Sequence, residues 1–176
     1  MVVAGINVAN SLPFTTRMPT TFATERTLGR LNKWLRLMGF DTLSENECPQ
    51  GSFMQRIGPE RIFLTRTQRL QGASIGLKTI FIRANDPAEQ IEELIAQTGL
   101  RPQDIRAFSR CIVCNEPIRP VAKSAVAGSV PDYVWNTRTD FSACPKCGRV
   151  YWQGSHTERA LQRLSGIFAA REAARQ

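Results

Sequence analysis

The sequence predicts an α/β fold, a mostly parallel sheet flanked by helices, followed by a small C-terminal zinc ribbon. Three observations carry this expectation. Short apolar runs such as "RIFLTR" and "TIFIRA" alternate with amphipathic helical stretches, the pattern of strands covered on both faces. Four of the five cysteines form two CxxC pairs, a spacing that reads as a metal site where no secretory signal is present. With 176 residues, 42% hydrophobic and 22% charged, the chain has room for one ordinary domain plus a small appendage. No apolar run reaches bilayer length, so a soluble chain without a membrane partner is expected.

Residues 1–21 open the chain as an arm: "MVVAGINVANSLPFTTRMPTT" holds one Arg, no acid and many small polar residues. A poorly structured tail or an organelle-targeting segment would look like this. The expected location is therefore intracellular, in the cytoplasm or an organelle matrix.

The main α/β domain is expected over 22–107. Leu28, Leu31, Leu35 and Met38 fall at helical spacing on one face, and Gly39 is placed to stop that helix. Arg26, Arg30, Lys33 and Arg36 fall mostly on the opposite face, as a solvated stripe or as a grip for a polyanion. "FDTLS" then reads as a short strand, and Phe53 to Ile57 as a short helical piece between Pro and Gly breakers. After the two apolar strands, "NDPAEQIEELIAQTGL" is a helix. Asp86 is its cap, Pro87 its first residue, Glu89 the partner in a capping box and Gly99 its end.

At Cys111 the character changes, and 108–156 is expected to be the ribbon. Each CxxC puts two thiolates on one tight turn whose free N–H groups bond to the sulfurs. Cys111, Cys114, Cys144 and Cys147, with twenty-nine residues between the pairs, complete a tetrahedron around zinc. Four thiolates leave no open position for water or substrate, so this metal stabilises the fold and does no chemistry. Tyr151 and Trp152 are expected to pack the ribbon onto the main domain. His156, the only histidine, has two readings, a partly buried residue bonded to backbone or a phosphate contact. A basic helix over 157–176 closes the chain.

The net charge is +8 and uneven. Residues 23–70 carry eight Lys and Arg against five acids, residues 71–107 four against five, and residues 108–176 ten against five. Two basic segments around a neutral one suit a polyanion such as nucleic acid.

"LGRLNKWLRLMGFDT", "RIFLTR", "DPAEQIEELI", "RCIVCNEPIRPV" and "FSACPKCGRVYWQGSH", in this order, resemble the Mut-seven C-terminal RNase domain family over about residues 22–164. The resemblance implies a PIN-like nuclease domain fused to a zinc ribbon, cutting RNA with Mg or Mn held by acids at the strand ends. Hard divalent ions need several carboxylate oxygens to activate water at a phosphate. Against that pattern, Glu25 stands where the family has Asp, the family's "LTRD" reads "LTRT" with Thr67, and Pro49, Gln50 and Gly51 occupy the region of a further acid. Asp41 is retained, and Glu45, Glu47 and Asp86 are further candidate acids. The expectation is an RNA-binding protein on a ribonuclease scaffold with a degenerate site. Glu25 and Asp41 are the catalytic residues if cleavage survives. Phosphate contacts are assigned to Arg26, Arg30, Lys33, Arg36, Arg66, Arg69, Lys146, Arg149 and His156. The alternatives left open are an active Mg- or Mn-dependent endoribonuclease and a structural subunit of a ribonucleoprotein such as a ribosome.

Overall fold

The structure, a computed structural model, describes residues 20–70 and 76–173, so the arm expected over 1–21 lies almost wholly outside the described residues. Four strands form one parallel sheet: β1 (Thr21–Thr24), β2 (Thr42–Ser44), β3 (Arg61–Thr65) and β4 (Thr79–Phe81), in the order β2-β1-β3-β4. Alternation along the strands divides the core in two. Phe22, Ile62, Leu64 and Ile80 face one side with Leu28, Leu31, Leu35 and Met38, while Ala23 and Phe63 face the other with Phe53 and Ile57.

The larger face is covered by three helices. Helix α1 (Gly29–Leu37) follows a 3-10 turn at Arg26–Leu28, and its four predicted apolar residues are almost fully buried. It ends at Gly39, whose φ of +93° and approach to the Arg106 carbonyl leave no room for a Cβ. A four-residue helix, α2 (Phe53–Arg56), lies on the opposite face. Helix α3 (Pro87–Thr98) starts on Asp86, whose carboxylate accepts from Ala88 N at 2.7 Å, and stops at left-handed Gly99. The Asp86 side chain makes this cap without the reciprocal Glu89 bond of a capping box.

The ribbon has more structure than its sequence suggests. Strands β5 (Arg119–Val121), β6 (Phe141–Ala143) and β7 (Val150–Trp152) pair antiparallel, and helix α4 (Asp132–Thr137) sits in what reads as a Pro- and Gly-broken loop. Val126, Val130, Val134 and Phe141 form its own small core, with Trp152 packed against them. This corrects the expectation for the two aromatics: Trp152 packs inside the ribbon, and the Tyr151 hydroxyl bonds to the first cysteine knuckle. Helix α5 (Ser155–Ala173) begins two residues before the expected boundary and returns to the main core, where Leu164, Ile167 and Phe168 are buried. Among the described residues no helix is long and apolar enough to cross a membrane.

Candidate functional site

The strand order turns around β1. The chain steps from β1 to β2 on one side, then crosses back to place β3 on the other. In open parallel sheets the crevice at the carboxyl ends of such strands is where ligands bind. Here that edge carries Glu25 after β1, Glu45 and Glu47 after β2, Thr65–Arg66–Thr67 around the end of β3, and Asn85 beyond β4.

Glu25 is 7% exposed and fully engaged. One carboxylate oxygen accepts from the Thr27 hydroxyl and from Arg66 N at 2.7 Å. The other accepts from the Thr65 hydroxyl at 2.5 Å and the Thr67 hydroxyl at 3.0 Å. A carboxylate offers about four lone-pair positions, and four donors meet them here. Burial pushes the Glu25 carboxyl up, but the Thr27, Thr65, Arg66 and Thr67 donors outweigh it and hold the group below its ordinary value. Thr67, at the position where the resemblance implies an acid, is a hydrogen-bond donor to Glu25.

Asp41, the other predicted catalytic acid, is at the wrong end of the sheet. Its carbonyl accepts from Phe22 N, at the start of β1, whereas Glu25 follows the last residue of that strand. Four residues of extended chain separate the two positions, about 13 Å. Asp41 instead pairs with Arg61 at 2.7 Å and Arg110 at 3.6 Å, and accepts from the Asn115 amide at 3.1 Å. Burial raises its carboxyl; the Arg61 and Asn115 bonds and the two cationic charges lower it by more. Asp41 is therefore placed as a joint between the main domain and the ribbon.

The other acids near the site have structural partners as well. Glu45 accepts from Arg26 N at 2.7 Å, Glu47 is gripped by Arg36, and Asp86 caps α3 and lies 3.7 Å from Arg163.

Two clefts lie side by side along this edge. One, of about 660 Å³, is lined by Arg30, Lys33 and Arg66 and reaches Ile112 and Val113 of the ribbon. The other, of about 240 Å³, holds Glu25 and Glu45 with Arg26 and Arg69. Five of the nine predicted phosphate contacts therefore line the two clefts. Lys146, Arg149 and His156 line neither: the first two flank Cys147 on the ribbon, and His156 is exposed on the first turn of α5. Its exposure removes the buried reading of that histidine.

Arg36 requires a correction. It is 1% exposed, donates to the Thr42 carbonyl through Nε and Nη2, and grips Glu47 with two bonds of 2.6 and 2.7 Å. Its Nη1 also donates to the Ile112 and Val113 carbonyls. The sequence places Arg36 in a basic stripe, a solvated face or a grip for a polyanion, but the last turn of α1 carries Arg36 under the cysteine knuckle, where it is available for neither.

The candidate metal centre is built from two matching turns. In the first, Asn115 N donates to the Cys111 carbonyl and Cys111 N to the Glu116 carbonyl; in the second, Gly148 N and Cys144 N repeat the pattern with Cys144 and Arg149. The residue after each second cysteine is left-handed, Asn115 at φ +65° and Gly148 at +69°, and Asn tolerates this region nearly as glycine does. The four sulfurs lie within 4.8 Å of one another. The Cys111 and Cys147 sulfurs are 3.8 Å apart, the edge expected of a tetrahedron with bonds of about 2.3 Å. Without a metal one thiolate is favoured, at Cys111: burial raises it, but the Tyr151 hydroxyl and the Cys114 and Val113 N–H groups bring it down to about 6, while the Cys147 sulfur, burial and the Cys111 charge push Cys114 up to about 12 and burial raises Cys144. The donor set fits a metal such as zinc. Among the described residues no other group of three or more Cys, His, Asp or Glu side chains is close enough to share an ion.

The Mut7-C RNAse domain family model matches residues 20–164, which include the sheet, both clefts and all four cysteines. This chain belongs to that family. As a Mut7-C RNAse domain it carries a nuclease-type scaffold whose strand-end edge and ribbon both fall inside the match. Neither a curated protein nor a solved structure matches the chain.

What the sequence missed in this Mut7-C RNAse domain are the neutral partners: Thr27 and Thr65 on Glu25, and Asn115, which accepts from Thr42 N while donating to Asp41. Only Thr67 left a trace, as the odd residue of "LTRT".

Proposed function

We propose that this chain is an RNA-binding protein on a PIN-like ribonuclease scaffold whose metal-dependent active site is degenerate. The observation that carries the reading is the Glu25 carboxylate, each of whose oxygens already accepts two hydrogen bonds. A catalytic Mg or Mn would have to displace those donors and then find its remaining oxygen ligands among acids that are capped or ion-paired. The grip on RNA is assigned to Arg26, Arg30, Lys33, Arg66 and Arg69, the cations of the two clefts. Zinc at the four cysteines is structural in this reading.

Purified full-length chain mixed with end-labelled RNA tests both halves. Binding that weakens steeply with salt, and no product with Mg or Mn, is the expected result. Manganese-dependent product that vanishes in Glu25→Gln overturns the degenerate-site half and favours an active endoribonuclease, a second reading to which Glu45 in the same cleft as Glu25 lends support. The role of a ribonucleoprotein subunit draws on the cations outside the clefts, Lys146 and Arg149. Co-sedimentation with ribosomal particles at high salt is its test.

A further inference from the structure

The larger cleft has a floor as well as cationic walls. Asn32 and Gln90 both line it, and they are only 5% and 4% exposed. Each has one end of its amide engaged. The Asn32 oxygen accepts from the Thr24 hydroxyl, and the Gln90 nitrogen donates to the Ala84 and Asn85 carbonyls. Among the described residues the Asn32 Nδ2 has no acceptor and the Gln90 Oε1 has no donor. No side-chain polar atom sealed from water lacks a partner among the described residues, so these two free amide ends open onto the cleft, where a ligand can reach them. One helix from each side of the cleft thus offers it a donor and an acceptor.

The remaining lining sorts by chemistry. Arg30, Lys33 and Arg66 supply positive charge, and Ile112 and Val113 supply an apolar face, with Val113 43% exposed. A phosphate needs the first, an unstacked base can lie on the second, and its polar edge or a ribose hydroxyl needs a paired donor and acceptor.

From this arrangement we infer that the 660 Å³ cleft holds a nucleotide of single-stranded RNA, its phosphates on Arg30, Lys33 and Arg66, its base against Ile112 and Val113, and its polar groups on Asn32 and Gln90. The inference rests on the RNA-binding reading above and adds to it. The first knuckle of the ribbon is then part of the binding wall, and the ligand is an unpaired strand rather than a duplex. A duplex keeps its bases stacked and presents only its backbone and groove surface, so it reaches the cations and not the floor.

The test measures binding of the full chain, across a salt series, to a labelled twelve-nucleotide single strand and to a hairpin duplex of equal charge. The single strand is expected to bind at least about tenfold tighter. Asn32→Ala and Val113→Ser are expected to weaken it by about three- to tenfold each, the effect of one lost contact, while leaving the salt slope unchanged. Lys33→Gln is expected to weaken it and to flatten the slope by about 0.7. Val113 is a surface residue, so that variant keeps the measurement meaningful should Asn32→Ala unfold the chain. Salt-dependent binding that treats both RNAs alike, with Val113→Ser and a folded Asn32→Ala indistinguishable from wild type, overturns the cleft assignment and leaves RNA binding standing. Failure of every RNA to bind removes both.

Discussion

Arg36 donates to the carbonyl of Val113 at 2.7 Å, joining the first helix of the sheet domain to the middle of a cysteine knuckle seventy-seven residues away. The same guanidinium holds Glu47 and the Thr42 carbonyl. Knuckle, helix and strand β2 therefore meet at one buried cation. Arg36→Ala leaves Glu47 and three carbonyls without their donor, and a loss of about 3 kcal/mol in stability is expected, read from urea unfolding. Arg36→Lys should recover only part of it, because a point charge cannot reproduce the fork.

Metal removal tests the ribbon. Cys111→Ser, Cys147→Ser or a strong chelator should abolish the ordered C-terminal third, since binding at such a site is folding free energy. Loss of one equivalent of bound metal with a lowered melting temperature and altered far-UV spectrum is the expected outcome. Unchanged spectra and melting in both variants would sink the structural-metal assignment.

Acid should destabilise the chain in part through Glu25. Its folded value lies below the ordinary 4.5, so the unfolded state binds more protons there and stability falls as pH drops from about 4.5 through the folded value. The facing groups are the Thr27, Thr65 and Thr67 hydroxyls and Arg66 N, with Glu45, Arg26 and Arg69 in the same cleft. Melting temperatures between pH 3 and 6 should show a slope in wild type that Glu25→Gln reduces.

Placing at position 67 the acid that the resemblance implies should trade hydrogen bonds for charge repulsion. Thr67→Asp puts a second carboxylate where a hydroxyl donates to Glu25 at 3.0 Å. Lower thermal stability without metal is expected, recovered by millimolar manganese as the ion screens the two acids. A variant insensitive to manganese would mean the strand-end edge cannot form a metal site even with that acid returned.

Gly39 has no alternative residue. An added Cβ would stand 2.3 Å from the Arg106 carbonyl oxygen at a φ of +93°. Gly39→Ala should cost more than about 1 kcal/mol, because both the backbone and the contact resist it. Thermal melting measures it.

Several features were legible because they depend on neighbours in sequence. The Leu28, Leu31, Leu35 and Met38 spacing determined the buried face of α1, Asp86 with Pro87 and Gly99 determined both ends of α3, and the two CxxC turns determined the four-cysteine cluster that could hold a metal. The motifs that flank them determined the family. Helix α4 was not legible: its six residues sit among Pro and Gly breakers and are held by a small core whose members lie up to fifteen residues apart.

Tertiary structure alone decided what the site residues do. Strand order and register put Glu25 and Asp41 at opposite ends of one sheet, although both are acids beside core strands. Three threonines, two of them forty and forty-two residues from Glu25, close around its carboxylate, and docking of the ribbon turned Arg36 from a surface cation into a buried pin. Periodicity and capping are set within a few residues and can be read locally. The fate of a charge depends on which distant donors and acceptors the folded chain delivers to it, and that is fixed only when the strands are ordered and the knuckle has docked.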